Sequence, residues 1–216
     1  MINRGLMYAK LSFYTEKACL FRWRSELIKK ASGDVLEIGP GTGLNLTHYQ
    51  DIDSLYLLEP DKSMRQILTQ QLAASDIDNR IAYVESGHCE HIPLESNSID
   101  TVVATLVLCS VTDVECCLSE IHRVLKPNGS FVFLEHVGAV PHDSACRVWQ
   151  NRITPLWKRV VDNCHLNRDT EALIAARFTI ASITHDSMRN VPPIFRPSIR
   201  GIAIKNTEGI HASGNE

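Results

Sequence analysis

The feature that most constrains the fold is a regular alternation, starting at Asp34, between short apolar runs and segments with helical periodicity. Short apolar runs indicate buried strands, and a helix between two strands allows them to lie parallel in one sheet. Five strand–helix steps precede two more strands, which predict an antiparallel closing hairpin. The predicted strands are 35–38, 54–58, 81–84, 101–105, 131–134, 178–184 and 199–204. We therefore expect an α/β fold: a doubly wound sheet of seven strands, mostly parallel with an antiparallel last strand, and helices on both faces.

The segments between the predicted strands have the spacing of amphipathic helices. We expect helices over 44–49, 62–74, 114–125, 146–161 and 168–176. A length of 216 residues suits one large domain. The pattern predicts an N-terminal helical cap over residues 1–32, the α/β domain over residues 33–205 and a flexible tail over residues 206–216.

The charge balance limits the class of partner. The chain has 22 Lys and Arg against 25 Asp and Glu, a formal net charge of −3, so it lacks the strong positive field of nucleic-acid-binding proteins. A mild basic cluster near the start, with helical spacing, is interpreted as a solvated helix face. Its members are Arg22, Arg24, Lys29 and Lys30. We expect a small-molecule partner and no nucleic acid, and the oligomeric state stays open.

Hydropathy and cysteine usage bear on location. The sequence has no run of about 18 apolar residues and no secretory leader pattern, which predicts a cytoplasmic protein without a stable membrane anchor. The seven cysteines are odd in number and irregular in spacing. We interpret them as reduced thiols that form neither disulfides nor a metal site.

The strongest local motif is VLEIGPGTG at residues 35–43, a predicted buried strand that runs into a glycine-rich turn. Glycines at positions 39, 41 and 43 let the backbone approach a ligand closely and expose N–H groups to it. The dinucleotide-binding fingerprint would place its third glycine at position 44, where this chain has Leu44. This spacing disfavours a nicotinamide-dependent dehydrogenase.

Two carboxylates accompany the glycine turn. Glu37, inside the motif, suits a ligand with an ammonium group, because it would repel a pyrophosphate. Glu59 closes the second predicted strand, about twenty residues after the first glycine, where an acid can accept hydrogen bonds from two ribose hydroxyls. S-adenosylmethionine (AdoMet) carries both of these groups.

The chain resembles class I AdoMet-dependent methyltransferases of the group that includes quinone-biosynthesis C-methyltransferases. The resemblance covers residues 34–136 and includes ESGHCEHIPLESNSIDTVV at 85–103 and EIHRVLKPNGSFVFLEHV at 120–137. It implies a Rossmann-like fold with AdoMet as cofactor and S-adenosylhomocysteine (AdoHcy) as product. His88 stands where the family has an acidic residue against the adenine. The residues that the resemblance implies for cofactor binding are Glu37, Gly39, Gly41, Gly43, Glu59, Pro60, Met64, His88, Cys89 and Leu106.

A narrower resemblance, to methyltransferase-like family seven, lies in TLVLCSV at 105–111, in LEHV at 134–137 and in the stretch after Trp149. Animal members of that family are thiol S-methyltransferases with an N-terminal membrane anchor. The resemblance implies a small-molecule acceptor, with a thiol as one candidate.

The acceptor is expected beside the carboxyl ends of the strands, near residues 106–111, Glu135 and His136. An imidazole there is able to take a proton from a thiol, so His136 is the candidate base. The candidate substrate-binding residues are Cys109, Trp149 and Trp157.

Three alternatives stay open: a C- or O-methyltransferase, a non-catalytic regulator and a dehydrogenase, which preferential binding of a nicotinamide cofactor over AdoMet would support. A C- or O-methyltransferase of a quinol-like or phenolic metabolite has the same cofactor motifs. A non-catalytic AdoMet-binding regulator binds the cofactor without turnover. Methylation of nucleic-acid bases is disfavoured, because the Asn/Asp-Pro-Pro-aromatic turn that it needs after the fourth strand is replaced by residues 104–109.

Overall fold

The computed structural model describes residues 14–77, 81–142 and 144–206 and contains one seven-stranded sheet. The strands are β1 (Gly33–Ile38), β2 (Ile52–Leu58), β3 (Ile81–Glu85), β4 (Ile99–Thr105), β5 (Leu125–His136), β6 (Thr179–Ser187) and β7 (Pro197–Ile204). They lie in the order β3-β2-β1-β4-β5-β7-β6. The first five strands pair in parallel, and β7 is antiparallel to both β5 and β6. The predicted fold class is confirmed.

In the part of the chain that the structure describes, five α-helices connect or precede these strands. They are α1 (Phe21–Ile28), α2 (Lys62–Ala73), α3 (Val114–Val124), α4 (Ala145–Val160) and α5 (Thr170–Ala175). A π-helical turn, Glu16–Leu20, leads into α1. Side-chain caps set three of the helix starts: Asp61 accepts hydrogen bonds from the Ser63 and Met64 amides, Asp113 accepts one from the Cys116 amide, and Ser144 accepts one from the Arg147 amide. No helix within the described ranges is both long enough and apolar enough to cross a membrane.

The helix predicted over residues 44–49 is wrong: the structure has only a 3₁₀ turn, Leu46–His48. The Leu46 amide donates to the Gly43 carbonyl at 3.1 Å and the His48 amide to the Asn45 carbonyl at 2.9 Å, both with 3₁₀ spacing. Tyr49 is already extended, with φ −68° and ψ 138°. Only thirteen residues separate β1 from β2, and the buried side chains in this connection are held by Glu37 rather than by a continued helix.

The sheet carries an apolar cluster on each face, which explains the layered architecture. Alternate residues of β5 divide between the faces: Phe131 and Phe133 pack with α3, and Val132 and Leu134 pack with α1 and α2. The helical cap therefore packs on the sheet through residues such as Trp23. Residues 1–13 and 207–216 lie outside the described residues, so the start of the cap and the flexible tail stay predictions.

The strand order fixes the location of the candidate site. Strand β1 pairs with β2 on one side and β4 on the other, all parallel, so their carboxyl ends share one edge. The chain leaves β1 toward β2 and returns to its other side at β4. Such a switch of direction opens a crevice at the carboxyl ends, where ligands bind in open α/β sheets.

Candidate active site

A cavity of about 460 Å³ opens at this crevice, a size within the range of small-molecule sites. Its walls come from the ends of four strands and from the segment that follows α4. The lining residues fall in 39–42, 58–61, 87–90, 105–107, 110–112 and 161–163, with Arg24, Leu44 and Met64 between them. Eight of the ten predicted cofactor residues are among them: Gly39, Gly41, Glu59, Pro60, Met64, His88, Cys89 and Leu106.

The glycine turn forms the floor of the cavity. Gly39 and Gly41 have φ values of 59° and 60°, in the left-handed region that favours glycine. A Cβ on Gly41 would meet only the Met64 sulfur, at 3.7 Å, so the space above this backbone is open to a ligand. Gly43 has a different role. A Cβ there would lie 2.8 Å from Leu46, and Gly43 is absent from the cavity wall.

Glu59 has the geometry expected of an acceptor for two ribose hydroxyls. It is 4% exposed, and its two oxygens accept hydrogen bonds from the Gly41 and Asp61 amides, each at 2.9 Å. Burial raises the pKa of this carboxyl, and the two amides lower it. Each carboxylate oxygen has a second lone pair, so the group is held in place and still able to accept from a ligand.

Glu37 does not line the cavity. Its oxygens accept hydrogen bonds from Asn45 Nδ2 and Tyr49 Oη, both at 2.7 Å, and the residue is 1% exposed. Burial raises the pKa of this carboxyl. The structure therefore places Glu37 beneath the glycine turn as an anchor for the β1–β2 connection, and direct contact with an ammonium group stays an untested prediction.

The turn after β3 forms the wall on the β2 side. His88 lines the cavity and is exposed, and Cys89 lies beside it, 7% exposed. The next residue fixes this turn: Glu90 Oε1 accepts hydrogen bonds from the Thr112 and Asp113 amides, at 3.1 and 3.2 Å. The turn is thus tied to the start of α3, which holds its backbone at the cavity.

Glu135 organises the turn after β4 from below. Its carboxylate accepts hydrogen bonds from three successive amides, those of residues 107, 108 and 109, at 3.0, 3.0 and 3.3 Å. Complete burial raises the pKa of Glu135 to about 7, against the opposing effect of these bonds. Leu106, at φ 60°, turns the chain into the cavity wall. Glu135 does not line the cavity, and its carboxylate positions the backbone of the wall through these three bonds.

His136 does not reach the cavity. It is 6% exposed, and neither ring nitrogen has a hydrogen-bond partner among the described residues. Burial lowers the pKa of His136 to about 4, so the ring is neutral at pH 7. Its role as a base stays a prediction, and its placement away from the cavity wall argues against that role.

The three predicted substrate-binding residues also lie off the cavity wall. Cys109 is 3% exposed, and its carbonyl accepts a hydrogen bond from the His165 amide. Trp149 is 52% exposed, with Arg152 over its ring at 5.5 Å. Trp157 stacks on Phe195, with ring centroids 4.3 Å apart.

Sequence reasoning missed the wall after α4. Asp162 and Asn163 line the cavity and have φ values of 36° and 59°, which end the helix in a left-handed turn. Asn163 Nδ2 donates to the Ser110 carbonyl at 2.9 Å and so joins this wall to the β4 turn. An Asp-Asn pair after a long helical pattern is a signal for such a turn.

Arg24 was also missed, and its interpretation as part of a solvated face is wrong. It is 3% exposed and lines the cavity. The missed signal is helical spacing, because Arg24 shares one face with buried apolar residues three, four or seven positions away. Those residues are Leu20, Leu27, Ile28 and Ala31.

Comparisons with known proteins agree with this geometry. A family model described as "Methyltransferase domain" matches residues 36–133. The chain is 34% identical to Thiol S-methyltransferase TMT1B of Rattus norvegicus, over 82% of this chain and 74% of that protein. It is 31% identical to the ubiquinone/menaquinone biosynthesis C-methyltransferase UbiE of Haemophilus ducreyi, over 47% of this chain and 40% of that protein. The fold is similar to that of a SAM-dependent methyltransferase from Thermotoga maritima, with TM-score 0.63 and 18% identity, over 94% of this chain and 98% of that one.

Proposed function

Because the chain belongs to the class I AdoMet-dependent methyltransferases, we propose that it transfers the methyl group of AdoMet to the sulfur of a small thiol. The observation that supports a thiol as the acceptor is how much of the chain matches the thiol S-methyltransferase. The match to the thiol S-methyltransferase covers 82% of the chain, whereas residues 1–133 make up less than two thirds of it. The match therefore extends into residues 134–216, which include the cavity-wall segment 161–163. The likeness to the quinone C-methyltransferase covers 47% and does not require this region.

The acceptor side of the cavity has a composition that suits a thiol with an apolar body. The turns after β4 and α4 contribute four apolar and four polar residues to the wall. The apolar members are Leu106, Val107, Val111 and Val161, and the polar ones are Ser110, Thr112, Asp162 and Asn163. Apolar walls exclude water, and a few polar groups orient the ligand.

Alignment is the main task of the protein in this reaction. Bound AdoMet supplies an electrophilic methyl group on a positively charged sulfur. Glu59 would hold the ribose, and the glycine turn would lie under the ligand. Glu135 holds the acceptor wall in place through three amides. Placing two reactants in line removes much of the entropic barrier to a displacement.

The acceptor proton does not require a dedicated base. A thiol has a pKa near 8.5, so about a few per cent is thiolate at pH 7, and the thiolate is a strong nucleophile. Buried, neutral His136 is not needed for this step. Phenols and quinols ionise at higher pH, so a smaller fraction of them is ionised at pH 7, and sulfur is the better nucleophile there.

A panel assay tests the proposal. Transfer of a labelled methyl group from AdoMet would be measured with matched acceptors: thiophenol, phenol and hydroquinone, alongside an aliphatic thiol. We expect the thiols to be labelled and Glu59→Gln to reduce the rate at low AdoMet concentration. Labelling of phenol or hydroquinone alone would replace the thiol by the quinol-type acceptor. AdoHcy binding with no turnover on any acceptor would favour a binding regulator.

A further inference from the structure

The cavity presents an unused cationic donor at one end. Arg24, in α1, is 97% buried, yet it forms part of the cavity wall. Burying a cation is costly unless partners compensate it, so the contacts of each nitrogen are informative. None of the motifs that indicated the cofactor includes this residue.

Two of the three guanidinium nitrogens have partners. Nε donates to Glu16 Oε1 at 2.9 Å. Nη1 donates to Asn45 Oδ1 at 2.9 Å and to Thr105 Oγ1 at 2.7 Å, which uses both of its hydrogens. The two N–H groups of Nη2 make no hydrogen bond to any residue in the described ranges, and Nη2 is not among the fully buried polar atoms without partners. Among residues 14–77, 81–142 and 144–206, no group competes with a ligand for these donors.

The order of groups around the cavity indicates which part of the ligand meets Arg24. The turn after β3 lies at one end, Glu59 follows at the end of β2, the glycine turn at the end of β1, and Thr105 at the end of β4. Neighbouring strands lie about 4.8 Å apart, so Glu59 and Thr105 are separated by about 10 Å across β1. AdoMet is a linear array of adenine, ribose and methionine, and this edge offers walls in the same order.

We propose that Arg24 binds the carboxylate of the methionine half of AdoMet through Nη2. The carboxylate is the anionic group at the end of the ligand opposite adenine, and a guanidinium forms strong charge-assisted hydrogen bonds to it. Glu16, Asn45 and Thr105 hold the guanidinium in place before the ligand arrives. The helical cap thereby contributes directly to the cofactor site. This inference rests on AdoMet binding and not on the identity of the acceptor.

Calorimetric titration with two ligands tests the contact. AdoHcy carries the carboxylate, and 5′-methylthioadenosine keeps adenine, ribose and thioether but lacks the amino acid. We expect Arg24→Gln to weaken AdoHcy binding by about ten- to one-hundredfold, with methylthioadenosine affinity changed by less than about threefold. Arg24→Lys, which keeps the charge with fewer donors, should show a smaller selective loss. Glu59→Gln is the matched control, because it should weaken both ligands.

Two results would overturn the proposal. Equal loss of both ligands in the Arg24 variants would make Arg24 a structural residue of the cap, and unchanged AdoHcy affinity would exclude the contact. If Arg24→Gln does not fold, Arg24→Lys and a comparison of AdoHcy with its neutral carboxamide on the wild-type protein give the same decision. Failure of the wild type to bind either ligand would instead contradict the AdoMet site, and a negative thiol panel would leave this test intact.

Discussion

Replacement of Glu135 by Gln, and separately of His136 by Asn, tests the electrostatics beneath the acceptor wall. Burial raises the pKa of Glu135 from 4.5 to about 7 and lowers that of His136 from 6.5 to about 4. Between pH 4.5 and 7 the native state binds more protons than the unfolded chain at Glu135, so this group makes stability fall as the pH rises. At His136 the unfolded chain binds more protons between pH 4 and 6.5, so this group makes stability rise over that range.

The two adjacent residues therefore oppose each other. Each displacement of pKa corresponds to at most about 3 kcal/mol of unfolding free energy, so their contributions nearly cancel up to pH 6.5. Glu135→Gln removes one of them. The free energy of unfolding of the variant minus that of wild type should therefore increase by up to about 3 kcal/mol as the pH rises from 4.5 to 8. For His136→Asn, the free energy of unfolding of the variant minus that of wild type should decrease by a similar amount as the pH rises from 4 to 6.5.

Urea unfolding at a series of pH values measures both differences. Comparing each variant with wild type at the same pH cancels the contributions of other carboxyls with raised pKa, such as Glu37 and Glu59. Differences that stay constant with pH would refute the argument that burial dominates at these two positions. A difference of the opposite sign for Glu135→Gln would mean that the three amides outweigh burial.

Three further predictions concern the glycine turn and the pH dependence of the reaction. Gly41→Ala should cost about 1–2 kcal/mol of stability for its left-handed backbone and should weaken AdoHcy binding in titration, since its methyl group projects into open cavity. Gly39→Ala should cost more in thermal unfolding, because its Cβ would lie 2.6 Å from Val107, and a smaller loss than at Gly41 would contradict the packing argument. With thiol acceptors of different acidity, kcat/KM should rise about tenfold per pH unit and level off near the pKa of each thiol. A break at one fixed pH for all of them would identify a protein base.

Features set by local spacing were predictable from the sequence. Strands such as β4 follow from short apolar runs, and the glycine turn and Glu59 follow from their position at the ends of two such runs. The helix predicted over 44–49 failed because its apolar pattern belongs to a 3₁₀ turn, whose neighbouring side chains are held by Glu37. Helix propensity describes residues 44–49 alone and does not include their hydrogen bonds to a buried carboxylate in the preceding strand.

Contacts between distant segments were not predictable in the same way. Arg24 meets Thr105 across 81 positions of the chain, and Asn163 meets Ser110 across 53. The sequence did not show on which side of the sheet the Glu135 side chain lies. In the structure it lies under the turn after β4 and accepts hydrogen bonds from the Val107 and Leu108 amides. His136, next in sequence, is buried on the other side of the sheet, because successive residues of a strand point to opposite faces.

An acceptor that carries both a thiol and a phenol shows which nucleophile the protein methylates. Mercaptophenol would be incubated with the protein and ¹³C-methyl-labelled AdoMet, and the site of the label would be read by NMR. We expect S-methylated product, with the phenol oxygen unlabelled, and a rate that falls in Glu59→Gln at low AdoMet concentration. Labelling on the phenol oxygen or a ring carbon, with the thiol intact, would contradict this expectation.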